Sequence, residues 1–141
     1  MNMKYLLLCA AISFAPAVAA TCPPDLKTAF GGKTFVGTMT ESASTGLLLY
    51  EALYSIKFLS GGRKGTAKGW GYGVNTPLET SSSQYDVTLS NFVRQTCSAK
   101  LQGSIGGNLV GIGTLIITSD VVSLVGSSNY GSVFRAEMRE P

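Results

Sequence analysis

The sequence predicts an all-β protein, a small antiparallel up-and-down barrel of about eight strands. From residue 33 onward, apolar and polar residues alternate with a period of two in one short segment after another, which is typical of half-buried strands. Glycine- and serine-rich turns separate these segments, and no part of residues 21–141 shows a clear helical period. Eight twisted strands in hairpin order can close on themselves and remove exposed edges. A two-sheet β-sandwich is the alternative architecture.

The first 20 residues have the three parts of a signal peptide. Lys4 forms a short basic start, an apolar run follows, and the segment ends in small residues at Ala17–Ala20. The apolar run is short for a membrane span. We therefore expect residues 21–141 to form one exported domain. The length and composition of the leader are typical of a bacterial protein, and they do not distinguish periplasmic from extracellular localisation.

The first two strand candidates follow this leader and a short N-terminal segment. Residues 33–41, KTFVGTMTE, alternate in size and polarity. Residues 49–58, LYEALYSIKF, form the clearest half-buried strand, with large residues at the even positions. A helix over residues 47–59 competes because Leu, Glu and Ala favour helix, but the aromatic and isoleucine content favours a strand.

The third strand candidate lies after the turn signal Ser60–Gly62, which predicts a hairpin with the second strand. In residues 63–76, glycines occupy 65, 69, 71 and 73, so one face of this strand is almost bare backbone. Strand positions without a side chain let the strand coil sharply and let another backbone or a ligand approach closely. The rest of the chain predicts a loop over 75–83, a strand over 84–94 with a bulge at Ser90–Asn91, and strands over 97–105, 109–118, 121–125 and 132–138.

Two cysteines, Cys22 and Cys97, remain after the leader. In an oxidising compartment such a pair most often forms a disulfide. The bridge would stabilise the fold by about 4 kcal/mol and would attach the N-terminal segment to the strand that carries Cys97. The alternative is a lipid on Cys22, but Ala19–Thr21 lacks the pattern of a lipoprotein cleavage site.

Composition excludes several kinds of activity. The chain contains no histidine, which excludes Ser-His-Asp and Cys-His catalysis and the usual zinc and copper sites. The acidic residues form no calcium-binding loop and show no spacing that points to a catalytic pair. Without Lys4 the net charge is about +2, and the basic residues are scattered, which argues against nucleic acid. We therefore expect no enzymatic activity, metal or cofactor.

In strand number, size and meander order, this outline resembles the lipocalin and avidin kind of barrel, a calycin-like outline. The resemblance covers residues 21–141 and implies, at the level of fold alone, a barrel that holds a small ligand. The sequence departs from the Gly-x-Trp of many lipocalins, since the corresponding residues are Gly32–Phe35. No binding residue is therefore transferred from either family.

The candidate site consists of aromatic residues on and near the predicted hairpin, with one lysine. If the even faces of its two strands point the same way, these side chains converge on one surface. One interpretation is that they form the barrel core. The other is that they form a pocket for an apolar or planar ligand, and that the lysine and the tyrosine hydroxyls orient this ligand. The predicted ligand-binding residues are Tyr50, Tyr54, Phe58, Lys68, Trp70, Tyr72 and Tyr85.

The function that these observations favour is that of a secreted or periplasmic, non-enzymatic binding protein. It predicts a cavity near Trp70 and quenching of Trp70 fluorescence by the ligand. The alternative is a protein-interaction module, such as an inhibitor of a secreted enzyme or a surface or matrix component, with a filled barrel. Its contacts with a partner would lie in the loops 42–48, 75–83 and 126–131. If the protein forms oligomers through strand pairing, we expect residues 107–118 to form the contact. The charged ending Arg135–Glu140 argues against a membrane-spanning barrel.

Overall fold

The protein is an eight-stranded antiparallel barrel in the residues that the structure, a computed structural model, describes: 22–77 and 79–141. The predicted signal peptide, residues 1–20, lies outside the described residues. The strands are β1 (Thr34–Ser42), β2 (Leu48–Phe58), β3 (Lys64–Gly73), β4 (Thr80–Val93), β5 (Ser98–Ile105), β6 (Asn108–Thr118), β7 (Val121–Ser128) and β8 (Val133–Arg139).

Each strand pairs with its neighbours in the chain, and β1 pairs with β8, so the sheet closes. In this last pairing Val36 lies opposite Arg139 and Ser42 opposite Val133. The predicted up-and-down barrel is therefore confirmed. The alternative sandwich is wrong because the strands form one continuous hydrogen-bonded ring rather than two packed sheets.

The period-two pattern of the sequence decides which side chains fill the barrel. In β2 the even positions from Ala52 to Phe58 are buried, and Lys57 between them is exposed. The strand interpretation of residues 47–59 is thus correct, and the helical one is wrong. The core formed by these inward residues includes Phe35, Ile56, Phe58, Val87, Leu89, Leu101, Leu115, Leu124 and Met138.

A short helix that the sequence analysis did not predict closes one end of the barrel. This helix, α1 (Leu26–Phe30), begins after Asp25, whose side chain accepts a 2.7 Å hydrogen bond from the backbone N–H of Thr28. Its five residues are too few to show a helical period. The ring of Phe30 is fully buried and lies 5.0 Å from that of Phe58 and 5.6 Å from that of Phe35. We call this end of the barrel the closed end.

The predicted pairing of the two cysteines is confirmed, because the sulfur atoms of Cys22 and Cys97 are within bonding distance and their Cα atoms are 5.6 Å apart. The position of Cys97 differs from the prediction. It lies in the turn between β4 and β5 with a φ of 48°, immediately before the strand rather than on it. The bridge therefore ties the segment before α1 to a turn at the closed end.

Two further local predictions have different outcomes. The bulge expected at Ser90–Asn91 is confirmed, since the register of β4 with β5 shifts between Ser90 and Val93 and Asn91 has a φ of 50°. The polar run 80–83 is not loop but the first part of β4, where it pairs with the end of β3. Small polar residues suit this position because their strand partners include Gly69 and Gly71.

The opposite end of the barrel, which we call the mouth, has no helix across it in the described residues. It is bordered by the β1–β2 loop (43–47), the β3–β4 connection (74–79), the two-residue turn 106–107 and the β7–β8 turn (129–132). No helix in residues 22–77 and 79–141 has the length and apolarity needed to cross a membrane.

Candidate functional site

The register of the β2–β3 hairpin divides the predicted site residues into two groups. Tyr54 pairs with Gly69, and Phe58 with Gly65. Paired residues point to the same side of a sheet, so the even positions of β2 share a face with the odd positions of β3. Tyr50, Tyr54, Phe58 and Tyr85 consequently point into the barrel, whereas Lys68, Trp70 and Tyr72 point outward. The prediction that all seven converge on one surface is wrong.

The glycine-rich face of β3 points into the barrel, where atoms of the neighbouring strands leave little room for side chains. A Cβ atom on Gly71 would lie 2.6 Å from the Cα of Ala52, which is too close without a backbone shift. A Cβ on Gly69 would lie 3.8 Å from the Tyr54 ring. The predicted role of these glycines in close approach is therefore confirmed at Gly71, and the tryptophan beside it is directed to the outside.

A cavity of about 380 Å³ occupies the mouth of the barrel. Its residues come from every strand except β3 and from the β7–β8 turn, so no single hairpin forms it. Most of its wall is apolar, with a few hydroxyl groups and one carboxylate. The lining residues are Met39, Glu41, Tyr50, Ser81, Ser83, Tyr85, Leu101, Gly103, Ile105, Val110, Gly111, Ser128, Tyr130 and Phe134.

Two tyrosines separate this cavity from the core beneath it. Tyr54 is buried, its ring centroid lies 6.3 Å from that of Tyr85, and the two hydroxyls are hydrogen-bonded to each other. The ring of Tyr85 lies against Gly103, where a Cβ would be 3.2 Å from it. The absence of a side chain at Gly103 thus leaves room for the tyrosine pair to lie across the barrel as a floor.

The wall on the other side contains Phe134, which also depends on glycine. A Cβ on Gly126 would lie 2.5 Å from the Phe134 ring, and one on Gly111 would lie 3.3 Å from it. Larger residues at these positions would force the ring toward the cavity. The inward glycines therefore determine the shape of the cavity by letting three aromatic rings, of Tyr54, Tyr85 and Phe134, lie close to the backbone.

Among the lining residues in the described part of the chain, Glu41 carries the only charged group. In β1, Glu41 lies opposite Tyr50 of β2 on one side and opposite Phe134 of β8 on the other. Its Oε1 accepts a hydrogen bond from the hydroxyl of Ser132, a buried residue of the β7–β8 turn. The hydroxyl of Tyr50 donates a hydrogen bond of 3.3 Å to the backbone oxygen of Ser81 on β4.

Both floor tyrosines stay protonated well above neutral pH. Burial, and then the adjacent Tyr85 hydroxyl, raise the pKa of Tyr54. Burial raises the pKa of Tyr85 to about 12, with a smaller contribution from the negative charge of Glu41 and an opposing one from the hydrogen bond with Tyr54. At neutral pH the floor therefore offers neutral phenols and no second charge.

Alkaline pH is expected to destabilise the barrel through these two phenols. Their pKa values in the folded protein exceed the value of about 10 that tyrosine has in an unfolded chain, so unfolding releases protons in this pH range. Their contribution to stability is complete below about pH 10 and is lost as the pH rises toward 12, by at most about 1.4 kcal/mol per pH unit for each tyrosine. Urea unfolding at about pH 9 and about pH 11 measures the loss.

The matched control for this experiment is a double variant, Tyr54→Phe with Tyr85→Phe, which removes both titrating groups. It should lose less stability than the native protein over the same pH interval. Tyr130→Phe, at a position that is 91% exposed, should behave like the native protein. Equal losses in the native protein and the double variant would contradict a role of the buried pair.

The predicted site residues thus have three different locations. Tyr50 and Tyr85 line the cavity, Tyr54 is buried beneath it with its hydroxyl hydrogen-bonded to that of Tyr85, and Phe58 belongs to the core at the closed end. The cavity is not near Trp70, whose side chain is 54% exposed on the outer surface. The lining residues of β1, β5, β6, β7 and β8 were not among the predicted site residues. Strand parity could have indicated Met39 and Phe134, but not both Val110 and Gly111, which are adjacent at a register shift between β5 and β6.

The outward group borders a groove on the exterior of β1 to β4. Leu53 of β2 lies opposite Trp70 of β3, and both are more than half exposed. Val36, Lys68 and Gln84 lie along the same groove, whose volume is about 810 Å³. Tyr72, two residue pairs nearer the mouth, donates a 2.7 Å hydrogen bond to Glu51, and this bond raises the pKa of the Tyr72 hydroxyl.

No family model and no curated protein matches this chain. Two solved structures are similar in fold. A de novo designed fluorescence-activating β-barrel has a TM-score of 0.53 at 14% identity, over 84% of this chain and 100% of the designed one. A redesigned β-barrel has a TM-score of 0.50 at 14% identity, over 88% of this chain and 95% of that one. At this level of identity the comparisons establish the barrel fold and no more.

Proposed function

We propose that this protein is an exported, non-enzymatic binding protein that holds a small apolar or planar ligand in the mouth cavity. The observation that carries the proposal is the unequal filling of the barrel. The closed end is packed with aromatic side chains, whereas the mouth contains a largely apolar cavity of about 380 Å³. This volume falls within the range of about 300–1,000 Å³ typical of small-molecule sites.

The polar groups of the cavity also suit a binding role. They are few and lie around the mouth, where they orient a ligand rather than solvate it. The chain has no histidine, and the one carboxylate of the cavity is hydrogen-bonded to a serine. The designed barrel that shares this fold is described as fluorescence-activating, so a small barrel of this kind is compatible with a function beyond its own folding.

Export is supported by two independent features. Residues 1–20 have the organisation of a signal peptide, and the sulfur atoms of Cys22 and Cys97 are within disulfide-bonding distance. Disulfides persist mainly in oxidising compartments. A bacterial periplasm or the exterior of the cell fits both features.

The variant Val110→Trp tests the proposed site by filling the cavity. Val110 is half-buried on β6, and a methyl group of its side chain approaches Gly103 beside the floor. The probe is N-phenyl-1-naphthylamine, a neutral planar dye whose emission increases in apolar surroundings. We expect the native protein to bind it and the variant to bind it at least about tenfold more weakly, since the added ring occupies the site.

Ile112→Trp is the matched control, because it adds the same side chain on the same strand at a position that is 51% exposed outside the barrel. Its dye affinity should remain native. Circular dichroism should show native strand content for both variants. Failure of the native protein to bind the dye, or equal affinity in the native protein and Val110→Trp, would contradict the proposed site.

The exterior groove favours a second candidate function, a protein-interaction module. Its specific support is that Leu53 and Trp70, two large apolar side chains, lie side by side and exposed on the outside of a closed barrel. Native mass spectrometry of the protein purified from its own host's exported fraction tests both candidates. A small adduct supports the cavity, and a protein adduct that is lost in Trp70→Ala supports the groove.

A further inference from the structure

We propose that the ligand of the mouth cavity is an aromatic or apolar molecule with a positively charged amine, and that Glu41 binds this amine. This inference rests on the proposed function and specifies the ligand class of the same site. Its basis is the unbalanced charge of the lining, in which Glu41 is the only acidic side chain and no lysine or arginine occurs among the described lining residues.

The carboxylate of Glu41 is held in place by a chain of hydrogen bonds from the β7–β8 turn. The Ser128 hydroxyl oxygen accepts from the backbone N–H groups of Tyr130 and Ser132, at 3.2 and 3.3 Å. It lies 2.6 Å from the Ser132 hydroxyl, to which its own proton is then directed. The Ser132 hydroxyl in turn donates to Oε1 of Glu41. Every donor in this chain of hydrogen bonds points toward the carboxylate, which holds the side chain of Glu41 in one orientation.

The second carboxylate oxygen is left for a ligand. Among residues 22–77 and 79–141, no group donates a hydrogen bond to Oε2 of Glu41, and no lysine or arginine forms an ion pair with this residue. The floor phenols do not ionise near neutral pH, because the pKa of Tyr54 and that of Tyr85 are both raised. A half-buried, oriented negative charge without a basic partner is therefore the dominant electrostatic feature of the cavity.

The groups beside Glu41 are suited to an organic cation. Residues directly opposite each other on paired strands have Cβ atoms about 4.5–5.5 Å apart, so an amine at Glu41 also lies within reach of the rings of Tyr50 and Phe134. Aromatic faces attract cations. A calcium ion, in contrast, requires six to eight oxygen ligands, and a single carboxylate does not supply them.

Titration calorimetry with three ligands of one shape tests the inference. The probes are 1-naphthylmethylamine, 1-naphthylmethanol and 1-naphthoate, which share a planar ring and carry a positive, neutral or negative group at pH 7. In the native protein we expect the amine to bind at least about tenfold more tightly than the alcohol, and the carboxylate most weakly. In Glu41→Gln the preference for the amine should fall to within about twofold, while the alcohol keeps its affinity.

The matched control is Glu51→Gln, which removes a carboxylate of the next strand that points to the exterior and is hydrogen-bonded to Tyr72. It should leave the preference unchanged. A salt titration of the native protein tests the inference even if Glu41→Gln misfolds. Added salt should weaken binding of the amine and leave binding of the alcohol unaltered, because ions screen only the charged contact.

The possible results separate the inference from the proposal on which it rests. If none of the three compounds binds, both the cavity site and the ligand class are overturned. If the amine and the alcohol bind equally, or if Glu41→Gln retains the preference, the cavity still binds ligand but the role of Glu41 is wrong. Preference for the amine that disappears in Glu41→Gln and persists in Glu51→Gln supports the inference.

Discussion

Replacing Phe30 with alanine is expected to lower the free energy of unfolding by about 3–5 kcal/mol, the range for removing a fully buried phenylalanine. Phe30 has no solvent exposure and contacts the rings of Phe35 and Phe58, one from each of the first two strands. Truncation leaves a cavity between α1 and the barrel that the surrounding side chains fill only in part. Urea unfolding followed by circular dichroism measures the change.

Leu59→Ala is the control for this variant. Leu59 lies in the β2–β3 connection near α1, but its side chain is 63% exposed, so the loss should be below about 0.5 kcal/mol. A loss of less than about 1 kcal/mol in Phe30→Ala would mean that α1 unfolds separately from the barrel. Because Phe30 is at the closed end, the folded variant should still bind N-phenyl-1-naphthylamine at the mouth.

Breaking the link between Cys22 and Cys97 is expected to cost about 4 kcal/mol, because the bond closes a loop with a sequence separation of 75 residues and restricts the unfolded chain. The link also holds α1 against the β4–β5 turn. Equilibrium unfolding in urea with and without a thiol reductant measures the difference. Alkylation of the unreduced protein under denaturing conditions should detect no free thiol at either position.

A double variant, Cys22→Ala with Cys97→Ala, provides the control for the reductant. It should have the stability of the reduced protein and should not respond to reductant at all. Equal stability of the native protein in the two conditions would contradict the expected contribution. A response of the double variant would show that the reductant acts on something other than this disulfide.

These two variants affect the closed end, whereas the variants at Val110 and Glu41 affect the mouth. The separation follows from the fold, since residues 56–58 of β2 belong to the packed core and Tyr50 of the same strand belongs to the cavity. We therefore expect the variants at the closed end to lower the free energy of unfolding, and the variants at the mouth to change the affinity for ligand.

Much of the fold was predictable because the information is local. The alternation in residues 49–58 identified a strand despite its helix-favouring residues, and the turn signal at Ser60–Gly62 identified the hairpin. The bulge at Ser90–Asn91 was visible as a change in parity. The helix α1 was missed because five residues are shorter than two helical turns, although Asp25 followed by Thr28 was an available capping signal.

The candidate site was predicted only in part. Tyr50, Tyr54 and Tyr85 were identified because large residues on an inward face of a strand are rarely without a role in packing or binding. Trp70 was assigned to the same surface because the even positions of the two hairpin strands were expected to share a face, and that assignment was wrong because even positions of β2 pair with odd positions of β3. Glu41 was considered only as one carboxylate among several, since its neighbours Ser132 and Phe134 are about 90 residues away in the chain.

The sequence by itself determined which residues of each strand share a face, because that property depends only on the period of the strand. It also determined most of the turns, the number of strands and the two cysteines available for a bond. Which face of β3 points inward was decided only by the tertiary structure, because the register of Tyr54 with Gly69 depends on the path of the connection. The same holds for the cavity, which forms where residues from seven of the eight strands of the closed barrel meet and which no single segment contains.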